Sequence, residues 1–219
     1  MEPKSLRSTT LQDAVYEQLL REITSGLLPP GTRITIEEIA KRFNVSSQPV
    51  REAIRRLEAA RIISITNRRI TVERLSAKQF DDIMSVYLVV GRFAVQEAAK
   101  SRSEESLKTT KKVLERLTAA TEFRDLVRLG RELMWAIYGE AKNPIIMDVL
   151  TFLFARYDVY LRASYETFQK SDMDRLLKIY KGILAAFTDR NKKKIGELYC
   201  ELMTTLAARM RKTLEIGHS

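Results

Sequence analysis

Residues Ile36–Arg56 read IEEIAKRFNVSSQPVREAIRR, and this stretch decides the fold of the N-terminal third. Ile36, Ile39, Ala40 and Phe43 recur at helical spacing and make one apolar stripe. Thr35 with Glu38 three residues on has the pattern of a capping box, each side chain serving the other's backbone amide. Asn44 predicts the stop, because Asn tolerates the left-handed conformation found at helix ends. Val45 plugs the corner, Ser46 is a natural N-cap, and Pro49 falls in the first turn, where a missing N–H is harmless. Val50, Ala53, Ile54 and Leu57 then face inward, leaving Ser47, Gln48, Arg51, Arg55 and Arg56 outward. Two short helices around a tight turn, the second opening with hydroxyl, amide and guanidinium groups, have the layout of a helix-turn-helix that reads a DNA major groove. An ordinary amphipathic helix pair with a solvated basic face shares the periodicity.

The flanking segments favour the DNA-binding reading. Ile62–Thr66 and Ile70–Glu73 each alternate apolar and polar residues, with Asn67-Arg68-Arg69 between them. Two strands around a basic tip make the wing of a winged helix-turn-helix. Lys41–Arg74 holds nine Lys/Arg against three Asp/Glu, +6 of a formal +10. Lys41, Arg42, Arg55, Arg56, Arg68 and Arg69 suit phosphates, and Ser47, Gln48 and Arg51 suit base edges. Upstream, Leu11, Val15, Leu19 and Ile23 predict a helix over Leu11–Ser25, capped by Thr9 or Thr10 and stopped by Gly26. Leu27-Leu28-Pro29-Pro30-Gly31 is a rigid turn. Residues 1–75 thus form a winged helix-turn-helix domain.

Composition limits the alternatives. The chain has 219 residues, is 45% hydrophobic, and has a pI near 9.7, which favours a polyanionic partner. An anionic membrane would satisfy charge alone, but there is no run of about 18 apolar residues and no apolar signal core in MEPKSLRSTT. A cytoplasmic protein without a membrane partner is expected. Cys200 is the only Cys and His218 the only His. Intrachain disulfides, Cys/His zinc sites and buried Ser-His-Asp or Cys-His groups are therefore excluded. An enzyme would have to use carboxylate pairs such as Asp81/Asp82 or Glu104/Glu105, but adjacent helical residues point about 100° apart. Both pairs read as solvated charges at helix starts, so no catalytic residues are assigned. An adaptor whose winged module contacts protein, with a lipid-like ligand in the bundle, is a further alternative; the basic excess opposes it.

Residues 76–219 are read as an all-helical domain. Residues 77–214 hold one Pro and almost no strand-like alternation. Helices are predicted over about 77–101, 103–120, 123–141, 144–163, 171–189 and 192–214, with a short piece near 165–170. Asn143-Pro144 gives an N-cap followed by Pro at the first helical position, and Ser171 or Asp172 is expected to cap the next-to-last helix. The fold class is mainly α: a winged module followed by a bundle of six to seven helices.

On these residues the chain resembles the GntR family of bacterial transcription regulators. The likeness is to the fatty-acid-regulator branch, with an all-helical, FCD-type effector-binding domain. Ile23–Gly31 is similar to the family's helix end and turn, and Ile39-Ala40, Val45-Ser46, Pro49–Ala53 and Arg56-Leu57 to its recognition-helix signature. The resemblance implies DNA contacts from Ser46, Ser47, Gln48 and Arg51 and from the wing around Asn67–Arg69. It implies a homodimer on a double-stranded DNA operator, acting as a repressor and modulated by a small apolar or amphipathic effector. The chain departs from the family at Glu37 and Ser47, where basic residues are common, and at Arg61 and Arg69, where Gly is common. Many relatives hold a divalent metal through one Asp and three His. Those positions fall on Gly130 and Met134 and near Tyr180 and Leu202, so no metal or other cofactor is expected. The family's Arg and Glu in the first bundle helix correspond to Tyr87 and Gly91. The implied effector pocket is lined by Tyr87, Gly91, Met134, Tyr138, Tyr180, Tyr199 and Leu202. The same residues would also serve as packed core, with Gly91 and Gly130 allowing close helix contact.

Overall fold

A computed structural model of the protein describes residues 10–25, 27–67, 69–73 and 76–216. The expectations resting on Thr9, Gly26, Arg68, Arg74, Leu75 and His218 lie outside the described residues. The chain divides into two compact units, Met1–Leu75 and Ser76–Ser219.

The first unit runs α1 (Leu11–Thr24), β1 (Arg33–Ile34), α2 (Ile36–Phe43), α3 (Ser47–Ala59), β2 (Ile63–Thr66) and β3 (Arg69–Val72). Thr10 caps α1 and Thr35 caps α2, each in a complete capping box, with Asp13 and Glu38 at the third helical position. Asn44 stops α2 at φ 52°, ψ 50°, the left-handed conformation expected of it. α1 and α2 both pack on α3. Val15, Leu19 and Ile23 meet a core that includes Ile39, Val50, Ile54 and Leu57. Leu11 is 55% exposed, because the first residue of α1 lies ahead of the packed turns.

The hairpin forms as read, antiparallel from Ile63↔Val72 to Thr66↔Arg69. Its boundary differs from expectation. Arg69 is the first residue of β3 rather than part of the tip, and Asn67 turns the chain at φ 52°. β1 adds a third strand in the order β1-β3-β2. Two residues are too few for alternation to announce a strand.

The second unit holds, among the described residues, six α-helices: α4 (Ala77–Ser101), α5 (Glu104–Thr118), α6 (Phe123–Gly139), α7 (Pro144–Ala163), α8 (Lys170–Thr188) and α9 (Lys192–Ile216). A 3₁₀ turn covers Tyr165–Thr167. Asn143 accepts from the amides of Ile145 and Ile146, with Pro144 opening α7. α8 starts earlier than expected. Its cap is Gln169, and Asp172 serves at the third position by accepting from the Gln169 amide at 2.8 Å. α4 packs against α9, α7 and α6; α5 packs against α6 and α8, and α8 against α9. Leu133, Ile137, Leu150, Leu176, Ile183, Phe187 and Ile195 are fully buried at their meeting. Cys200 is half-buried on α9. Among the described residues no helix is long and apolar enough to cross a membrane.

Candidate functional site

α3 presents its first two turns to solvent. Ser46 occupies the cap position but makes no side-chain cap bond, so its hydroxyl stays available. Ser47 is half-buried, while Gln48, Arg51 and Arg55 are exposed. Glu52 organises two of them. Its carboxylate accepts from Gln48 Nε2 at 3.3 Å and from Arg55 at 3.1 Å. Arg51 has no hydrogen-bond or ion-pair partner among the described residues, so its guanidinium is uncommitted. Arg69 is exposed on β3, and Arg33 of β1 pairs in register with Thr71 of the same strand. Register and period-two alternation put Arg33, Ser64, Thr66, Arg69 and Thr71 on one face of the sheet, opposite the buried Ile34, Ile63, Ile70 and Val72. Sequence alone missed Arg33, because β1 was not anticipated.

Two arginines expected at phosphates are engaged inside the unit. Arg56 pairs with Asp13 at 2.7 Å and lies 4.0 Å from the centre of the Tyr16 ring, which ties α3 to α1. The Thr10 hydroxyl and then Arg56 hold the Asp13 carboxyl below its ordinary value. Arg42 pairs at 2.6 Å with Glu22, a carboxylate buried on α1. The outward placement of Arg56 holds, but its charge is already used. Glu37 is exposed in the first turn of α2, where it adds negative charge.

In the second unit a cavity of about 40 Å³ lies among side chains of α4, α6, α7, α8 and α9. Of the seven residues expected around a pocket, Tyr87, Met134, Tyr138, Tyr180 and Leu202 line it. Gly91 and Tyr199 instead meet each other. A Cβ on Gly91 would overlap the Tyr199 phenol, whose hydroxyl donates to the Tyr87 carbonyl at 3.2 Å. Gly130 seats the Tyr180 phenol in the same way. Both glycines therefore make room for tyrosines. Burial pushes the phenols of Tyr87, Tyr138, Tyr157, Tyr180 and Tyr199 up, so all five are neutral hydrogen-bond donors near neutral pH.

The four positions that the resemblance gives to an Asp and three His come together here as Gly130, Met134, Tyr180 and Leu202. A glycine, a thioether, a buried neutral phenol and an alkyl chain do not form a divalent-metal ligand set. No group of three or more His, Cys, Asp or Glu able to hold a metal occurs among the described residues. Sequence reasoning missed Arg131, Trp135 and Tyr157 on the cavity wall. Tyr157 follows Leu150 and Leu153 at helical spacing, a signal that could have placed it inside.

Comparison with known proteins agrees with both units. Residues 11–72 match bacterial regulatory proteins of the gntR family, and residues 82–205 match the FCD domain. The chain is 27% identical to the HTH-type transcriptional regulator McbR of Escherichia coli K12 over 200 residues, 90% of each chain. It is 33% identical to the regulator YdhC of Bacillus subtilis over 140 residues, 62% of each. It is 31% identical to the gluconate operon transcriptional repressor of Bacillus subtilis over 119 residues, 54% of this chain and 49% of that one. The solved structure of E. coli McbR/YncC superposes with a TM-score of 0.77 at 24% identity, covering 94% of this chain and 99% of that one. The recognition helix, the wing and the bundle are thus those of a transcription regulator, and the chain belongs to the GntR family, with an FCD effector-binding domain.

Proposed function

We propose that the protein is a sequence-specific repressor that binds a double-stranded DNA operator as a homodimer and is released or retained by a small effector held in the helical unit. The observation that carries this reading is the opening of α3: exposed Gln48 and uncommitted Arg51, beside a cap serine whose hydroxyl is not spent on the helix. Ser46, Ser47, Gln48 and Arg51 would meet base edges and nearby phosphates, with Arg55, Arg68 and Arg69 on the backbone. Arg56 is better suited to holding α3 on α1. Repression follows the gluconate operon repressor, to which the chain is similar.

Dimerisation is supported by an apolar stripe on two helices that pack together. Val86, Val89 and Phe93 of α4 and Ile145, Val149 and Phe152 of α7 are all exposed, Val89 at 70% and Ile145 at 68%. Neighbouring apolar residues of this size left open to water mark an interaction face. An effector in the Tyr87–Tyr180 cavity would act on operator affinity only through different affinities for two states of the protein.

The test is in vitro selection of duplexes from a random pool at moderate salt, with the parent and Arg51→Ala. The parent should enrich a two-fold symmetric site, and Arg51→Ala should lose about 1–3 kcal/mol of discrimination there while keeping its fold. An unchanged selected motif in Arg51→Ala would show that α3 is not the reading helix.

A further inference from the structure

Gln48, Glu52 and Arg55 follow one another at i, i+4 and i+7 along one face of α3. One carboxylate oxygen joins them: Glu52 Oε1 accepts from Gln48 Nε2 at 3.3 Å and from an Arg55 N–H at 3.1 Å. An acid on a face that meets DNA repels phosphates, and Arg55 offsets that charge at the same oxygen. The effect of the acid on the neighbouring amide is more specific. A carboxylate only accepts, so it holds the Gln48 amide with its nitrogen toward Glu52. Reversed, the amide oxygen would stand against the carboxylate, acceptor against acceptor. The nitrogen spends one N–H on Glu52. The open edge of the amide is then one acceptor, Oε1, and one donor, the second N–H. The reversed amide would offer an NH₂ group instead, two donors and no acceptor.

We propose that Glu52 is a positioning residue that sets the base read by Gln48, adenine rather than guanine. The inference rests on reading α3 as the helix that enters the major groove, and it names what one position of that helix selects. In the major groove adenine shows an acceptor, N7, beside a donor, its N6 amino group. One acceptor and one donor on the amide match that pair bidentately. Guanine shows two acceptors, N7 and O6, which call for two donors. Only the reversed amide supplies them, and Glu52 opposes the reversal. Discrimination thus comes from a repulsion raised against the wrong base as much as from the bonds made with the right one. Glu52 itself touches no base; it acts through Gln48.

The full chain would be used to select duplexes from a random pool, as parent, Gln48→Ala, Glu52→Gln and the double variant. Competition binding would follow, with the selected duplex carrying each of the four bases at the position that Gln48→Ala alters. Gln48 is exposed and Glu52 half-buried, so the substitutions should leave the fold intact, which circular dichroism checks. The parent should prefer adenine to guanine there by about five- to a hundredfold, the range for one bidentate pair. Gln48→Ala should lose that preference. Glu52→Gln lets the amide turn either way. It should cut the adenine-to-guanine ratio at least about fivefold, chiefly through tighter binding of guanine, and leave every other position unchanged. The double variant should match Gln48→Ala at that position. Removing the carboxylate should also raise affinity for every duplex and steepen the salt dependence by about one in the log–log slope. That uniform gain is all that a purely electrostatic role predicts, so finding it with the ratio unaltered overturns the proposal. A parent that prefers any base but adenine at the Gln48 position overturns it too. If Gln48→Ala leaves the motif unchanged while Arg51→Ala alters it, the proposal fails and α3 remains the reading helix. If neither variant alters the motif, both readings fail.

Discussion

Arg61 sits in the left-handed region at φ 54°, directly after α3. The backbone there closes with Ile62 N–H on Leu57 O at 2.9 Å and Arg61 N–H on Glu58 O at 2.8 Å, the paired bonds of a Schellman ending. That position favours glycine, and the sequence resemblance had placed a family glycine there. Left-handed backbone costs a residue with a Cβ about 1–2 kcal/mol, and the greater freedom of glycine in the unfolded chain returns part of it. Arg61→Gly should therefore stabilise the protein by about 0.5–1 kcal/mol in urea unfolding, and Arg61→Ala should not. Equal effects of the two would mean that the backbone there is unstrained. Gly91 gives the opposite case. Alanine in mid-helix normally gains about 1 kcal/mol over glycine. Here a Cβ would overlap the Tyr199 phenol, so Gly91→Ala should destabilise despite that gain. Tyr199→Phe removes the overlapping hydroxyl and its 3.2 Å bond to the Tyr87 carbonyl. In the double variant only part of the Gly91→Ala loss should disappear, because the Cζ and Cε1 ring atoms that Phe keeps also overlap the added Cβ, and that partial non-additivity is readable by a double-mutant cycle. Additive losses would show that the hydroxyl is not what Gly91 accommodates.

The helix-turn-helix could be read from sequence because each of its boundaries is set locally. Thr35 with Glu38, Asn44, and Ser46 with Pro49 act within one turn of the chain. α4 and α7 were found as helices for the same reason, but their faces were not assigned. Val86-Tyr87-Leu88-Val89-Val90 is apolar around the whole helix, as is Val149–Phe154 apart from Thr151. Periodicity cannot then separate the side facing the bundle from a side left for a partner. The exposed stripe was hidden by that same uniformity. The structure separates the sides: Tyr87 and Leu150 are buried, while Val89, Phe93, Ile145 and Phe152 are open. If the open side joins two copies, Phe93→Asp or Phe152→Asp places a charge in a desolvated contact, where the cost is several kcal/mol. Light scattering after size exclusion should show the parent as a dimer and both variants as folded monomers at concentrations where the parent stays paired. A monomeric parent would remove the stripe from the dimer argument altogether.

Tyr87, Tyr138, Tyr157, Tyr180 and Tyr199, five of the six tyrosines buried in the helical unit, make a large part of this protein's stability depend on a single kind of proton. Tyr87, Tyr138, Tyr157, Tyr180 and Tyr199 all have phenols pushed up by burial. In the unfolded chain each returns to the ordinary value near 10. A group whose folded pKa is raised contributes stability that is whole below its unfolded pKa and is lost as pH climbs toward the folded one. Below about pH 9 the five should thus contribute no pH dependence. Above pH 10 the unfolded chain releases protons that the folded chain keeps, and each phenol costs about 1.4 kcal/mol per pH unit. Acting together, the five remove about 7 kcal/mol per unit, comparable to the whole stability of an ordinary domain. The helical unit should therefore unfold within about one pH unit above 10, rather than titrate gradually. Tyrosinate absorbance and helical circular dichroism should change together in that window. Each Tyr→Phe substitution at these five positions should make the collapse shallower, in proportion to the protons removed. Tyrosinate appearing well before the helices are lost would show that water reaches the cluster in the folded protein, and that these phenols are not the packed interior their burial describes.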